Sequence, residues 1–445
     1  MAVKSAMPTS YLPYEPNQDL LLPHSLREWL PEAHLAHYIS ETIDALDLGA
    51  FHARYEDGGA RNQPFDPAMM VKVLVYGYAT GVFSSRKIAR KLHEDVAFRV
   101  LAAGNFPKHR TICDFRALHL KELAELFVQV VQLARECGLV KLGTIAIDGT
   151  KLRANASRHK AMSYERMQAA ELELRGQIDA LLRRAARADQ AEEDEPELDI
   201  PAEIARREQR LAVIRAAQAR LQERQRAADT KLGRSPGDDA PPGEGGQKKA
   251  GPAFKRPFGE PLPKAQDNFT DPDSRIMKSS AGFEQCYNGQ TAVDAQAQII
   301  VAAELTQCAA DVGELPAMIA AVERNTGAAP QVALADAGYR SEATFGELSH
   351  SGTELIVALG REGQRQISIR SEDLPLTAAM AVKLKTPAGS AQYRRRKAIV
   401  EAPNAWIKHV LGFRQFSFRG AEKVRWEFKL VCAALNLRRM ATMTA

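Results

Sequence analysis

Two aspartates of this chain follow short apolar runs, a setting that suits metal-dependent chemistry. Asp148 closes the run TIAID (144–148), and Asp336 closes the run QVALAD; a glycine follows each within two positions. Because ligands collect at the strand ends of an open α/β sheet, we expect both carboxylates to face a crevice there. Neighbouring carboxylates repel each other unless a cation lies between them, and oxygen ligands with bound water suit Mg²⁺.

A third acid, Glu401, lies in YRRRKAIVEAPNAWIKHVLGF, which predicts a helix over residues 391–411. Arg394 and Lys397 lie seven and four residues before Glu401, and Lys408 lies seven residues after it. On an α-helix, these spacings place all three on the same face as Glu401. A carboxylate among cations can bind metal while the cations hold phosphates, which suits phosphodiester chemistry. Two metal ions about 4 Å apart would activate the attacking oxygen and stabilise the leaving oxygen.

Each of these features has a simpler interpretation when it is taken alone. An Asp at the end of a strand is more often a cap or a turn former. The basic run Arg394–Lys397 is more often a solvated helix face. The metal-site hypothesis therefore depends on three acids occurring in order on suitable elements.

Further basic residues indicate contact with nucleic acid. Lys151 and Arg153 follow Asp148 and could meet a phosphate. The net charge of +5 is a weak indication, but residues 390–445 hold twelve Lys and Arg against three Asp and Glu, a local +9. A local excess of this kind attracts a phosphate backbone.

Composition argues against several other kinds of site. The five cysteines are scattered and form no CxxC pair, and the ten histidines form no HExxH motif, so neither a disulfide framework nor a zinc site is predicted. No run of about 18 apolar residues occurs, and the N-terminus lacks the apolar core of a signal peptide. We expect a soluble cytoplasmic protein that makes no use of a membrane.

Two helical stretches precede the first acid. Residues 1–66 begin as an extended, Pro-bearing segment and continue with a helical pattern. Residues 67–142 begin at Pro67 and predict short helices joined by tight turns, which resemble a helix-turn-helix DNA-binding domain. An ordinary helical domain with a solvated basic face is the alternative. The basic residues concerned are Arg86, Lys87, Arg90, Lys91, Lys108 and Arg110.

The acids themselves fall in two separated stretches, residues 143–160 and 267–445. Strand-like runs alternate there with helical patterns, which predicts a mixed α/β sheet covered by helices. Between them, residues 161–228 have two apolar-periodic stretches that predict a helical hairpin. Residues 229–266 are rich in Gly, Pro and charge and predict a mobile linker. Hairpin and linker together look like an insertion into the α/β domain.

Several sequence blocks, in this order, resemble DDE transposases of bacterial insertion sequences, in the IS-four/IS-five superfamily and its IS-eleven-eighty-two-like group. The blocks are YLPYEPNQDLLLPHSLREWLPEAHLAHYI, MMVKVLVYGYATGVFSSRKIARKLHEDVAFRVLAAGN with HRTICDFR, IAIDGTKLRANAS, DPDSRIMK with YNGQTAVD, ADAGYRS and the Glu401 helix. They cover most of the chain. The resemblance implies a ribonuclease-H-like fold, with Asp148, Asp336 and Glu401 as the catalytic, metal-binding acids.

The family's third block also has a Tyr, an Arg and a Lys at set spacings from the Glu. Lys408 fits the Lys and would contact the phosphates of the transposon ends. Lys397 and Arg394 stand where the Arg and the Tyr are expected, whereas Arg396 and Tyr393 each lie one residue away. The sequence leaves open which of these basic residues binds DNA.

The resemblance also implies an activity and its partners. The helical N-terminal domain would bind the terminal inverted repeats, and two Mg²⁺ ions, or Mn²⁺, would support cleavage and strand transfer on double-stranded DNA. An oligomer, at least a dimer, is expected because two ends must be joined, and the protein would associate with the nucleoid. Two alternatives stay open: a nuclease of the same fold that cleaves without joining, and a DNA-binding repressor or scaffold in which the acids are structural.

Overall fold

The computed structural model describes six stretches of the chain. They are residues 25–55, 64–191, 199–236, 256–279, 282–360 and 372–444. The predicted extended N-terminal segment lies outside them, as does half of the predicted linker at 229–266, namely residues 237–255. The described residues form a helical region, followed by a mixed sheet with its covering helices.

Seven α-helices make up the helical region. They are α1 (Leu35–Ala45), α2 (Gly49–His52), α3 (Pro67–Ala79), α4 (Ser85–Glu94), α5 (Val96–Leu101), α6 (His109–Leu118) and α7 (Leu120–Glu136). Pro67 begins α3, as predicted, because the first helical residue needs no N–H donor. Asp66 caps this helix by accepting a bond from Met69 N at 2.9 Å. Since α3 is buried on nearly every side, it forms the centre of the helical region.

Eight strands are described. They are β1 (Thr144–Arg153), β2 (Ala161–Ser163), β3 (Gln266–Asn268), β4 (Arg275–Ser279), β5 (Gly282–Asp294), β6 (Ile300–Thr306), β7 (Val332–Ala335) and β8 (Glu354–Val357). In the main sheet β1 is central: it pairs antiparallel with β5 and parallel with β7, and β7 pairs parallel with β8. β4 and β6 both pair antiparallel with β5. The predicted mixed sheet is therefore confirmed.

The central strand is longer than the run TIAID predicts. β1 continues five residues beyond Asp148, because the long antiparallel partner β5 stays paired with it as far as Arg153. Its parallel pairing with β7 stops earlier, at Ile147 opposite Ala335. Asp148 is thus not the last residue of its strand. Asp148 and Asp336 are instead the first residues beyond the last parallel pair.

Seven further helices complete the described fold. They are α8 (Tyr164–Ala191), α9 (Ile200–Lys231), α10 (Glu314–Thr326), α11 (Glu342–Leu348), α12 (Pro375–Lys385), α13 (Pro387–Ala405) and α14 (Ala421–Thr444). α8 and α9 pack on each other through a small separate core that includes Leu174, Leu211 and Ile214. In the chain they lie between β1 and β5, which are neighbours in the sheet. No helix within the described ranges is both long and apolar enough to cross a membrane.

α14 joins the helical region to the sheet. It packs against α3, α7 and β6, and one continuous core includes residues from all four. Within this core, Glu427 accepts bonds from the Tyr78 hydroxyl at 3.0 Å and from Ser417 N at 2.8 Å. Arg116 Nη1 in turn donates to the Tyr78 oxygen at 3.1 Å. Burial raises the pKa of Glu427, and Arg116 opposes the rise. These buried polar groups connect α3, α6 and α14.

Candidate active site

Asp148 within β1 and Asp336 directly after β7 follow the last parallel pair of these neighbouring strands, Ile147 and Ala335. Burial raises the pKa of Asp148 to about 6, and repulsion from Asp336 adds to the rise. Because this folded pKa is above the ordinary value of 3.8, ionised Asp148 destabilises the fold, and the cost is complete above about pH 6. A cation between the two carboxylates would remove that cost.

Asp336 also has the structural role that its position suggests. Its Oδ1 accepts a bond from Gly338 N at 2.8 Å and so caps the 3-10 turn Ala337–Tyr339. The turn-forming interpretation is therefore correct for one oxygen. Within the described part of the chain, no hydrogen bond is made to Oδ2, which leaves this oxygen for a ligand.

Helix α13 brings the third acid, Glu401, close to the first acid, Asp148. This helix packs across β1 and β5, and Thr291 of β5 is hydrogen-bonded to Asn404 of the helix at 3.0 Å. The buried Arg396 guanidinium lies between two of the acids: Nη1 is 3.9 Å from Asp148 Oδ2, and Nη2 is 3.9 Å from Glu401 Oε1. The Asp148 and Glu401 carboxylates consequently face a shared space, with Glu401 on its more exposed side.

The basic residues around Glu401 are arranged differently from the sequence expectation. Arg394 and Lys397 are exposed, and it is Arg396 that contacts the acids. Lys408 lies beyond the end of α13, in a π-helical turn. Pro403 inside α13 has no N–H to donate, and π turns often arise where the regular hydrogen-bond ladder is interrupted. The regular α-helical spacing from Glu401 therefore does not extend to Lys408, although Lys408 lies close enough to Asp148 for their charges to interact.

A fourth carboxylate, Asp311, lies close to the site and was missed by the sequence analysis. It follows β6 in a loop, and its Oδ1 accepts bonds from Asn288 and Gln290, each at 2.7 Å. Lys151 Nζ is 3.4 Å from the same oxygen. The charge of Asp311 contributes to the raised pKa of Asp148. The only sequence signal was indirect: the side-chain amides of Asn288 and Gln290, two residues apart on β5, need a hydrogen-bond acceptor.

Asp311 and its amide partners lie on the opposite face of the sheet from α13. Residues alternate faces along a strand, so Asp148 shares a face with Thr291, whereas Gly149 shares one with Gln290. A Cβ at position 149 would come within 2.6 Å of Asp311 Oδ1. Glycine is thus required for this polar network to pack directly behind Asp148.

The chemistry of the acids fits a hard divalent cation, although their present spacing does not enclose one. Among the described residues, no three His, Cys, Asp or Glu side chains lie close enough to hold a metal ion. Carboxylate oxygens are nevertheless the ligands that Mg²⁺ and Mn²⁺ prefer. The Arg396 guanidinium takes the position of a cation between Asp148 and Glu401, so it would have to move for all three acids to share a metal.

The predicted DNA-binding surface is formed by α4, α5 and α6, which pack together. Arg86 and Lys87 of α4 are exposed. Arg90 lies 3.4 Å from Glu94, and Arg110 lies 3.7 Å from its i+4 partner on α6, as residues on a solvated helix face do. Lys151 and Arg153 also have acidic neighbours, at 3.4 and 3.8 Å. The basic helices therefore suit both interpretations that the sequence left open.

Comparison with known protein families supplies the deciding observation. Residues 24–118 match a family described as a transposase domain (DUF772), and residues 358–441 match a family described as a transposase DDE domain. The two matched domains support an enzyme of the DDE transposase type. No curated protein and no solved structure matched.

The two matches fall on different parts of the transposase. The first covers α1 to α6, which include the basic helices, and the second covers the last three helices. Glu401 lies inside the second match, whereas Asp148 and Asp336 lie outside both. Transposases act on DNA, and the DDE type generally uses divalent metal ions. A transposase of insertion-sequence type is what the matched families support.

Proposed function

We propose that this transposase cuts and joins DNA at Asp148, Asp336 and Glu401, on a ribonuclease-H-like fold of the IS-eleven-eighty-two-like group. The main support for the proposal is the position of Arg396, whose guanidinium lies 3.9 Å from both Asp148 and Glu401. These two acids are 253 positions apart in the chain. Asp336 adjoins the first of them across the parallel pair of strands. These two neighbour relations support a site shared by three acids from distant segments.

The proposed reaction consists of two phosphoryl transfers. A water oxygen attacks the phosphorus at the transposon end, the P–O3′ bond breaks, and the end is released with a free 3′-hydroxyl. The oxygen of that hydroxyl then attacks a target phosphodiester, forms a new P–O3′ bond and displaces the target's own 3′-oxygen. Two Mg²⁺ ions, or Mn²⁺, held by the acids would supply activation of the attacking oxygen and stabilisation of the leaving one.

Other residues of the chain are assigned to DNA binding. Lys408, Lys151 and Arg153 neutralise phosphates beside the acids, while the basic helices of residues 67–142 bind the terminal inverted repeats. The residues proposed for the helices are Arg86, Lys87, Arg90 and Arg110. A dimer in the cytoplasm, associated with the nucleoid, would hold two ends together, and the paired helices α8 and α9 would assist that assembly. Because phosphate contacts release counterions, binding should weaken as salt rises.

A strand-transfer assay tests the proposal against the nuclease alternative. The wild-type protein, Mg²⁺ and a pre-cleaved duplex carrying the inverted repeat that borders the gene are incubated with a supercoiled plasmid. Joined product is expected with a 3′-hydroxyl end and not with a matched 3′-deoxy end. A parallel reaction contains an uncut transposon end. Cleavage of that end without any joined product in either reaction would favour the nuclease, and the absence of both products would favour a non-catalytic DNA-binding protein.

A further inference from the structure

A cleft lined by basic side chains begins directly beside Asp148. Gly149 and Thr150 form its start, and the cations that line it come from three separate segments. These cations are Lys151, Arg153, Lys278, Lys408 and Arg414. One carboxylate, Glu284, also lines the cleft, so the charge of its lining is +4.

The geometry of the cleft is fixed by strand pairing. Arg153 N donates to Arg414 O at 3.1 Å, and Phe416 N donates to Arg153 O at 2.9 Å, which holds the segment after α13 against the free edge of β1. This segment places Arg414 on one wall, near Lys408 of the π-helical turn. Lys278 belongs to β4 on the far side of β5 and forms the other wall.

The positive charge of this cleft is only partly compensated. Glu284 lies 3.8 Å from Arg153, and Lys151 pairs with Asp311 on the sheet. Within the described ranges, Lys278, Lys408 and Arg414 form no ion pair with a carboxylate. Burial lowers the pKa of Lys408, and the nearby Arg414 adds to the decrease. Like charges held together in a partly buried cleft favour an anionic ligand.

We propose that this cleft binds consecutive backbone phosphates of the DNA strand that is cut, and that Lys278 and Arg414 are phosphate ligands in addition to Lys408. The inference rests on the proposed function, whose first acid, Asp148, directly precedes the cleft residues Gly149 and Thr150. A single phosphodiester carries one negative charge, which is too little for a lining of +4. Cations on separate segments along an open cleft suit an extended polyanion, and a strand lying there would reach Asp148 directly.

The salt dependence of DNA binding tests this assignment. Full-length protein in EDTA is titrated into a fluorescein-labelled duplex of random sequence, and anisotropy gives the dissociation constant at several salt concentrations. For Lys278→Gln and for Arg414→Gln, we expect weaker binding and a log–log salt slope that is shallower by about one unit for each lost phosphate contact. The double variant should lose about two units.

The matched control is Lys423→Gln, which removes the same charge from an exposed position outside the cleft. It should keep the wild-type slope. Lys278 and Arg414 are exposed, so their variants should also keep the wild-type unfolding transition. Wild-type slopes for Lys278→Gln and Arg414→Gln would overturn the proposal, because the DNA would then bind elsewhere on the protein.

A second measurement needs no variant. Lysine acylation of the wild-type protein, read by mass spectrometry, should be slower at Lys278 when the duplex is present at saturation and unchanged at Lys423. Equal labelling of Lys278 with and without DNA would contradict the cleft assignment. Both measurements are made without metal ions, so they report on DNA binding and not on cleavage. If the cleft binds DNA but the protein does not cleave it, this inference stands while the proposed function fails.

Discussion

Replacing Asp336 by Asn should slow Mg²⁺-dependent cleavage of the transposon end by about 10³-fold, because loss of a metal ligand removes several kcal/mol of transition-state stabilisation. The substitution suits the structure. An asparagine Oδ1 can still accept the bond from Gly338 N that caps the turn after β7. The folded structure should therefore be retained, and the change in rate should report on the chemistry. Single-turnover cleavage of a labelled end is the measurement.

Glu347→Gln is the matched control for Asp336→Asn. Glu347 is exposed on α11 and is not one of the three proposed acids, so its loss should leave the cleavage rate unchanged. If Asp336→Asn cleaved as fast as the control, the turn-capping role of Asp336 would be its only role, and the proposed site would lose one of its three acids.

The largest effect on stability is expected at Glu427. Its replacement by Ala should lower the free energy of unfolding by about 3–5 kcal/mol, because it removes the buried carboxylate that is linked to Arg116 through the Tyr78 hydroxyl and that balances the Arg116 charge in the core. The substitution also removes the acceptor for Ser417 N and for the Tyr78 hydroxyl. Urea unfolding followed by circular dichroism measures the change.

Glu422→Ala provides the comparison for Glu427→Ala within the same helix. Glu422 is exposed in the first turn of α14, so its loss should change the free energy of unfolding by about 0.5 kcal/mol or less. Equal stability of the two variants would mean that the buried polar groups do not hold α3, α6 and α14 together.

Much of the sheet could be predicted from the sequence, because its strands contain distinct apolar runs. The strand before Asp336 and the helix bearing Glu401 were predicted, since a buried strand and a long helix have recognisable patterns. The end of β1 was not, because the residues after Asp148, GTKLR, form no apolar run. Their strand conformation depends on pairing with β5, which a local pattern does not contain.

The details of the candidate site depended on contacts that spacing alone does not reveal. Arg396 was one of three neighbouring basic residues that the sequence offered, and only the packing of α13 on the sheet shows that its guanidinium is buried between two of the acids. Lys408 lies in a π-helical turn that begins three residues after Pro403, which α-helical spacing did not predict. Asp311 lies in a loop, where no periodicity marks a residue that tertiary hydrogen bonds bring to the site.

Binding of Mn²⁺, followed by the electron paramagnetic resonance of the free ion, tests most directly whether the three acids form one metal site. We expect the wild-type protein to take up Mn²⁺ above about pH 6, where Asp148 is ionised. Affinity should fall by more than about tenfold in Glu401→Gln, because a ligand is lost, and should not change in Glu347→Gln. Uptake by Glu401→Gln that equals wild-type uptake would contradict the account, since the metal would then be held without the helix that brings the third acid to the sheet.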